Sequence, residues 1–179
     1  MPASQSVQLF SHLHGQTRLG VRELNIFRYR LALGFFIIAL IVSGLTAFPI
    51  RPELTGLAGW LGISDPSDFA QLTGFRHWIA FVTYGLQQTY EHFPFFGYVS
   101  DWLAYGHLVI ALFFFLPLLD PTRYRGILHV GLIACVGVFV IAFTCGPVRG
   151  IPVFWRLIDC SFGLVGAIPL LYCLRASRG

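Results

Sequence analysis

Apolar residues in this chain gather into four long runs that charged side chains rarely interrupt. Leu31 to Phe48 holds no charged residue, enough chain for roughly one hydrocarbon thickness. It predicts a first spanning helix over about residues 27–48. Arg28 and Arg30 sit at its start, and Pro49 and Pro52 are expected to end it, because proline does not continue a helix interior. A second span is predicted over 102–119, between Asp101 and Asp120, with His107 inside it. A third, over 126–145, carries His129 near its start and is expected to stop at Gly146-Pro147, a strong breaker pair. A fourth, over 152–174, opens on Pro152, a favourable first-turn residue, and holds Arg156 and Asp159. The short link between the third and fourth spans predicts an antiparallel hairpin.

The segment 49–101 is less apolar, but too long to lack structure of its own. Between Arg76 and Glu91 the apolar residues Trp78, Ile79, Val82 and Leu86 share one helical face, with Thr83, Gln87, Gln88 and Glu91 elsewhere. This is expected to be an amphipathic helix lying on the membrane or capping the bundle, with a re-entrant segment as the alternative. The aromatic run from His92 to Tyr98 then anchors the second span. The expected fold class is an all-α membrane protein: a four-transmembrane-helix bundle with an amphipathic helix in its long outer loop. Residues 1–26 form an N-terminal segment, 27–174 the transmembrane domain and 175–179 a tail.

Composition agrees. Of 179 residues, 56% are hydrophobic and 11% charged, against about 25% charged in soluble domains. The length leaves no room for a second domain. The net charge of +4 comes wholly from arginine, scattered singly or in pairs, which excludes a nucleic-acid footprint. The arginines read as topology signals. Arg18, Arg22, Arg28 and Arg30 precede the first span, Arg123 and Arg125 separate the second from the third, and Arg175 and Arg178 follow the fourth. On the other side Arg51, Arg76 and Arg149 are diluted by Glu53, Asp65, Asp68, Glu91 and Asp101. The positive-inside rule then expects both termini in the cytoplasm of a bacterial inner-membrane protein. Trp60, Trp78, Trp102 and Trp155 fall toward the outer side, where indoles favour the interface. The first apolar run begins late for a signal peptide, so it is expected to be a retained helix.

With those directions, His107 lies roughly 8 Å below the outer end of its span, and Arg156 and Asp159 lie roughly 6 to 11 Å below theirs. Tyr105 and Cys160 flank this layer, and Cys145 sits at its mouth. Ionisable groups inside a span tend to face the bundle interior or a water-filled cavity. His107, Arg156, Asp159, Tyr105 and Cys145 are therefore the candidate ligand-binding residues. Arg156 would hold an anionic or carbonyl group, and His107 would bind or exchange a proton. The plainer reading is an internal Arg156–Asp159 ion pair, three residues apart on one helix. If the layer forms a pocket, Asp159→Asn is expected to cost more stability than Asp101→Asn. The four cysteines, Cys135, Cys145, Cys160 and Cys173, form no C-x-x-C pair, and no metal site is expected. His12 and His14 in the tail have no further ligand nearby. A b-type haem needs two histidines at one depth, whereas His107 and His129 are separated by on the order of 15 Å. Only His77, His92 or an oligomer could complete such a site, so no cofactor is expected.

Two runs carry a resemblance, Gly150-Ile-Pro-Val-Phe-Trp-Arg-Leu-Ile-Asp-Cys-Ser-Phe-Gly163 and Asp101-Trp-Leu-Ala-Tyr-Gly-His107. With Ser43-Gly-Leu-Thr-Ala-Phe48, they resemble a group of small bacterial four-span membrane proteins to which no activity is assigned. The resemblance places His107, Arg156 and Asp159 in motif-like segments. The first span also resembles those of cytochrome b561-type and DoxX-type proteins, but the missing paired histidines depart from the former. The leading expectation is a non-catalytic bundle that binds a partner protein, lipid or small ligand on its outer face. A redox protein linked to quinone or haem through His107, Arg156 and Asp159 is the alternative, and a small oligomeric transporter the third. The expected partners are the lipid bilayer and a homo-oligomer or membrane-protein partner, with no nucleic acid.

Overall fold

The fold comes from a computed structural model that describes residues 26–177. The N-terminal segment with His12, His14, Arg18 and Arg22, and Arg178 at the other end, lie outside the described residues. All regular structure among the described residues is helical. The helices are α1 (Ile26–Ala47), α2 (Ile50–Trp60), α3 (Gly74–His92), α4 (Gly97–Leu119), α5 (Arg125–Val148) and α6 (Val153–Ala176), with short 3-10 turns at Pro66–Gln71 and Pro94–Phe96. The protein is an all-α membrane protein. Four helices, α1, α4, α5 and α6, are long and apolar enough to cross a bilayer. Their large apolar side chains point outward, with Leu119 74%, Ile133 70% and Phe162 69% exposed. A bilayer, not water, is the solvent that suits such a surface.

Helix α1 ends at Ala47, ahead of Pro49 and Pro52 as expected, but a further helix follows at once: Pro49 caps α2 and Pro52 lies in its first turn, where a missing N–H takes nothing from the helix. Two other boundaries differ from expectation. Asp101 lies inside α4 rather than at its threshold. Helix α5 runs through Gly146-Pro147 to Val148. What ends it is Gly150, at φ 70°. Its N–H donates to the Pro147 carbonyl (3.1 Å), and that of Ile151 to the Gly146 carbonyl (2.9 Å), which is a Schellman closure. The same closure ends α2, where Gly62 (φ 70°) donates to Gly59 and Ile63 to Ala58. Both sites need a left-handed residue, which glycine adopts without strain.

The described chain forms two compact units. One holds residues up to Ile37 and from Phe113 onward, and the other is Ile38–Leu112. In the first unit α5 and α6 pack as an antiparallel hairpin through small residues. A Cβ on Gly163 would lie 2.7 Å from the Cys135 carbonyl oxygen, and Gly131 makes room for the Leu170 side chain of α6, which would lie 2.9 Å from a Cβ there. Such close backbone approach is typical of membrane helix pairs. Helix α1 runs antiparallel to α6. The Cys173 thiol meets the Tyr29 carbonyl at 3.6 Å, while seven residues further along α1 the Phe36 ring faces Gly166. Phe36 also meets Phe114 edge to face at 4.8 Å. Arg125 donates to the Leu174 carbonyl at 3.3 Å, serving an acceptor in the last turn of α6.

In the second unit α1 crosses α4 at Gly44, where a Cβ would lie 3.0 Å from the Ala104 carbonyl oxygen and 3.1 Å from the His107 Cβ. Helices α2 and α3 pack together, with an Arg51–Glu91 ion pair at 3.7 Å on their surface. Arg76 donates to the Gly62 carbonyl at 3.1 Å. The buried residues of α3 are Ile79, Ala80 and Thr83, so the inner face is rotated from the expected one. Thr83, read as polar and outward, is fully buried. Its hydroxyl donates to the Ile79 carbonyl at 2.7 Å, which removes the cost of an unpaired polar group. Phe69, on the first 3-10 turn, lies under His77, Phe81 and Tyr84.

Candidate functional site

Cys145, Arg156 and Asp159 belong to the first unit, and Tyr105 and His107 to the second. In the first unit Arg156 lies one turn into α6, after Pro152 as N-cap. Its aliphatic stem lies across Gly146 of α5, where any Cβ would collide with it. Gly146 is thus the seat of the arginine, and the stem packs as an apolar group. Its Nε is buried and has no hydrogen-bond partner among the described residues. Cys145 is exposed beside this seat. Its sulfur lies 3.7 Å from the Thr144 hydroxyl, whose stronger bond is to the Val140 carbonyl at 2.6 Å.

The expected Arg156–Asp159 ion pair does not form: the ion pair among the described residues is Arg51–Glu91. Both side chains are half-buried on α6. The Arg156 stem is directed across the hairpin onto Gly146, which takes the guanidinium away from the helix's own surface row. Asp159 is thus left without an ion-pair partner among the described residues.

On α4, His107 is half-buried and its Nδ1 lies 2.8 Å from the Leu103 carbonyl. A carbonyl can only accept, so Nδ1 is the donor in this contact. His77, His92 and His129 make the same kind of contact, to Phe69, Gln88 and Arg125. Tyr105 does not share a face with His107, because two residues turn an α-helix by about 200°. Its ring instead stands edge to face against Trp102 (5.8 Å), and Trp102 against Tyr98 (5.9 Å). Phe93, Phe95 and Phe96 form a second stack just ahead, with Phe95 and Phe96 at 4.8 Å. All six rings are about half exposed or more. Depth along a span locates Tyr105 and His107 together, but azimuth separates them.

Two carboxylates outside the spans shape turns. Asp65 caps the 3-10 turn at Pro66–Gln71 by accepting from the Ser67 N–H at 2.9 Å. Asp120, between α4 and α5, accepts from the Arg123 N–H (3.0 Å), the Thr122 hydroxyl (2.9 Å) and the Thr122 N–H (3.2 Å). The backbone bond from Arg123 and the hydroxyl of Thr122 hold the Asp120 carboxyl below the usual range. Bonds from Ser67 do the same for Asp65. Among the described residues, Cys135, Cys160 and Cys173 are buried free thiols, and no three His, Cys, Asp or Glu side chains are grouped to hold a metal. The chain matches no protein-family model, no curated protein and no solved structure.

Proposed function

We propose that the protein is a non-catalytic, multi-pass component of a bacterial cytoplasmic membrane. Both termini lie in the cytoplasm, and the protein binds another membrane-embedded protein through the aromatic end of its second unit. The observation that carries this reading is the set of six exposed rings from Phe93 to Tyr105, in two neighbouring clusters. Aromatic side chains dominate the centres of protein interfaces. The arginine distribution supports the orientation. A photo-crosslinking residue at Phe95 or Tyr105 should capture a protein of discrete mass in intact membranes. The same residue at Val130, exposed on α5, should capture lipid only. Lipid adducts alone at all three positions would reduce the rings to an interfacial belt and end this reading.

A redox role has one observation in its favour. His107, with Nδ1 fixed by a carbonyl, has the orientation a ligating imidazole takes. A Soret band in the purified protein, lost in His107→Ala, would establish it in place of the partner-binding reading.

A further inference from the structure

Between α1 and α6 runs an open groove of about 690 Å³, lined by Arg28, Leu31, Ala32 and Phe35 on one side and Val165, Ile168, Pro169 and Tyr172 on the other. Each set follows i, i+3, i+4, i+7, so each is one continuous stripe of its helix. The Tyr29–Cys173 and Phe36–Gly166 contacts fix the register as antiparallel. That register puts Arg28 and Tyr172 at the same end. The lining is apolar from there to Phe35 and Val165, a length of about 10 Å, a third of the ~30 Å hydrocarbon core.

The two polar groups stand at the helix ends, level with the edge of the span. Neither the Arg28 guanidinium nor the Tyr172 hydroxyl has a hydrogen bond or ion pair among the described residues. A fixed cation and a hydroxyl donor at the head of an apolar trough match one class of molecule. We propose that this groove binds a single anionic glycerophospholipid, its phosphate on Arg28 and Tyr172 and the upper part of one acyl chain along Leu31, Ala32, Phe35 and Ile168. Arginine suits phosphate through its forked donors. The trough takes a flexible chain, whereas a second helix laid against this stripe would leave Arg28 desolvated without a counter-charge. The site depends on the membrane-spanning character of α1 and α6, but neither on sidedness nor on the partner surface proposed above.

The test is native mass spectrometry of the full chain in detergent, titrated with phosphatidylglycerol or phosphatidylcholine. One phosphatidylglycerol should bind, preferred over phosphatidylcholine by about tenfold, because the choline cation of the latter is brought against the Arg28 guanidinium. Arg28→Ala should abolish the preference, and Arg28→Lys should keep part of it. Ala32→Trp, which fills the trough, should lose both lipids. Arg30→Ala removes an equal charge from α1 outside the groove and should leave the preference intact. Equal losses from Arg28→Ala and Arg30→Ala would mean diffuse attraction and overturn the site. So would a dimer dissociated by Ala32→Trp with no lipid adduct, which would assign the groove to a second copy.

Discussion

The hydroxyl of Tyr29 donates to the backbone carbonyl of Pro117 at 2.9 Å, a buried bond across 88 residues of sequence. The reason lies further along the chain. The helical donor for that carbonyl would be residue 121, which is proline and has no N–H. Tyr29 therefore supplies a donor that the last turn of α4 lacks. Tyr29→Phe should lower stability by about 1 to 3 kcal/mol, the cost of leaving a buried acceptor unpaired. Tyr172→Phe removes a hydroxyl with no hydrogen-bond partner among the described residues and should be near neutral. Thermal unfolding in one detergent separates the two, and equal shifts would show that the Tyr29 bond contributes nothing.

The α5–α6 hairpin is held by backbone proximity. Gly163→Ala forces a methyl against the Cys135 carbonyl oxygen at 2.7 Å, and overpacking of this kind costs about 1 to 3 kcal/mol. Gly137, on the same α5 helix, has nothing within 4 Å of its Cβ position. Gly137→Ala should be neutral, or stabilising by up to about 1 kcal/mol through helix propensity. Denaturation midpoints of the two variants should therefore move apart.

Asp120 ties the α4–α5 turn to pH. Its carboxyl is held below the usual value of 3.8 in the folded chain. A depressed folded pKa gives stability that is present above the unfolded value and lost as pH falls through the folded one. Acidification from pH 6 to below about pH 4 should destabilise the native protein more than an Asp120→Asn variant, which is already weaker at neutral pH. Parallel melting curves across that interval would remove Asp120 from the acid response.

With Asp159 lacking an ion-pair partner among the described residues, the order expected of the two aspartates for a pocket should reverse. Asp159→Asn should hold or raise stability, since it replaces an unpaired charge within a span by a neutral group of the same shape. Asp159→Asn melting well below Asp101→Asn would reveal a partner for Asp159.

Orientation is open to direct measurement. Reporter fusions at Tyr90 should report the outside and fusions at Tyr124 the cytoplasm. The reverse pattern would defeat the arginine-based orientation, and with it the depth layer that first grouped His107 with Arg156.

The spanning helices were legible because a run without charge, as long as Leu31–Phe48, has few other uses. Helix α3 was legible too, although the rotation that buries Thr83 was not. A hydroxyl bonded to its own helix looks polar in sequence and behaves as apolar in a core. Helix α2 was hidden by Pro49 and Pro52, which signal a stop and a start equally well. Gly150, not the Gly146-Pro147 pair, was the residue to read for the end of α5. Depth along a helix follows from counting, and that brought the candidate residues to one level. Azimuth follows from packing partners, which is why Tyr105 parts from His107 and Arg156 from Asp159. The Arg28 stripe on α1 was visible as spacing, but the facing stripe on α6 became its counterpart only once the Tyr29–Cys173 register was known.

The closure at Gly150 also bears on how the protein reaches the membrane. Only Arg149 to Pro152 separates α5 from α6, and Gly150 and Pro152 fix the path between them. A ribosome delivering α5 presents a helix whose small-residue face is only partly provided for: Phe114 of α4, already made, meets Gly131, whereas the Cys135 carbonyl has to wait for Gly163 of α6. The turn at Gly150 aims that second arm back along the first, so the two helices are in register from the first residues of α6 onward.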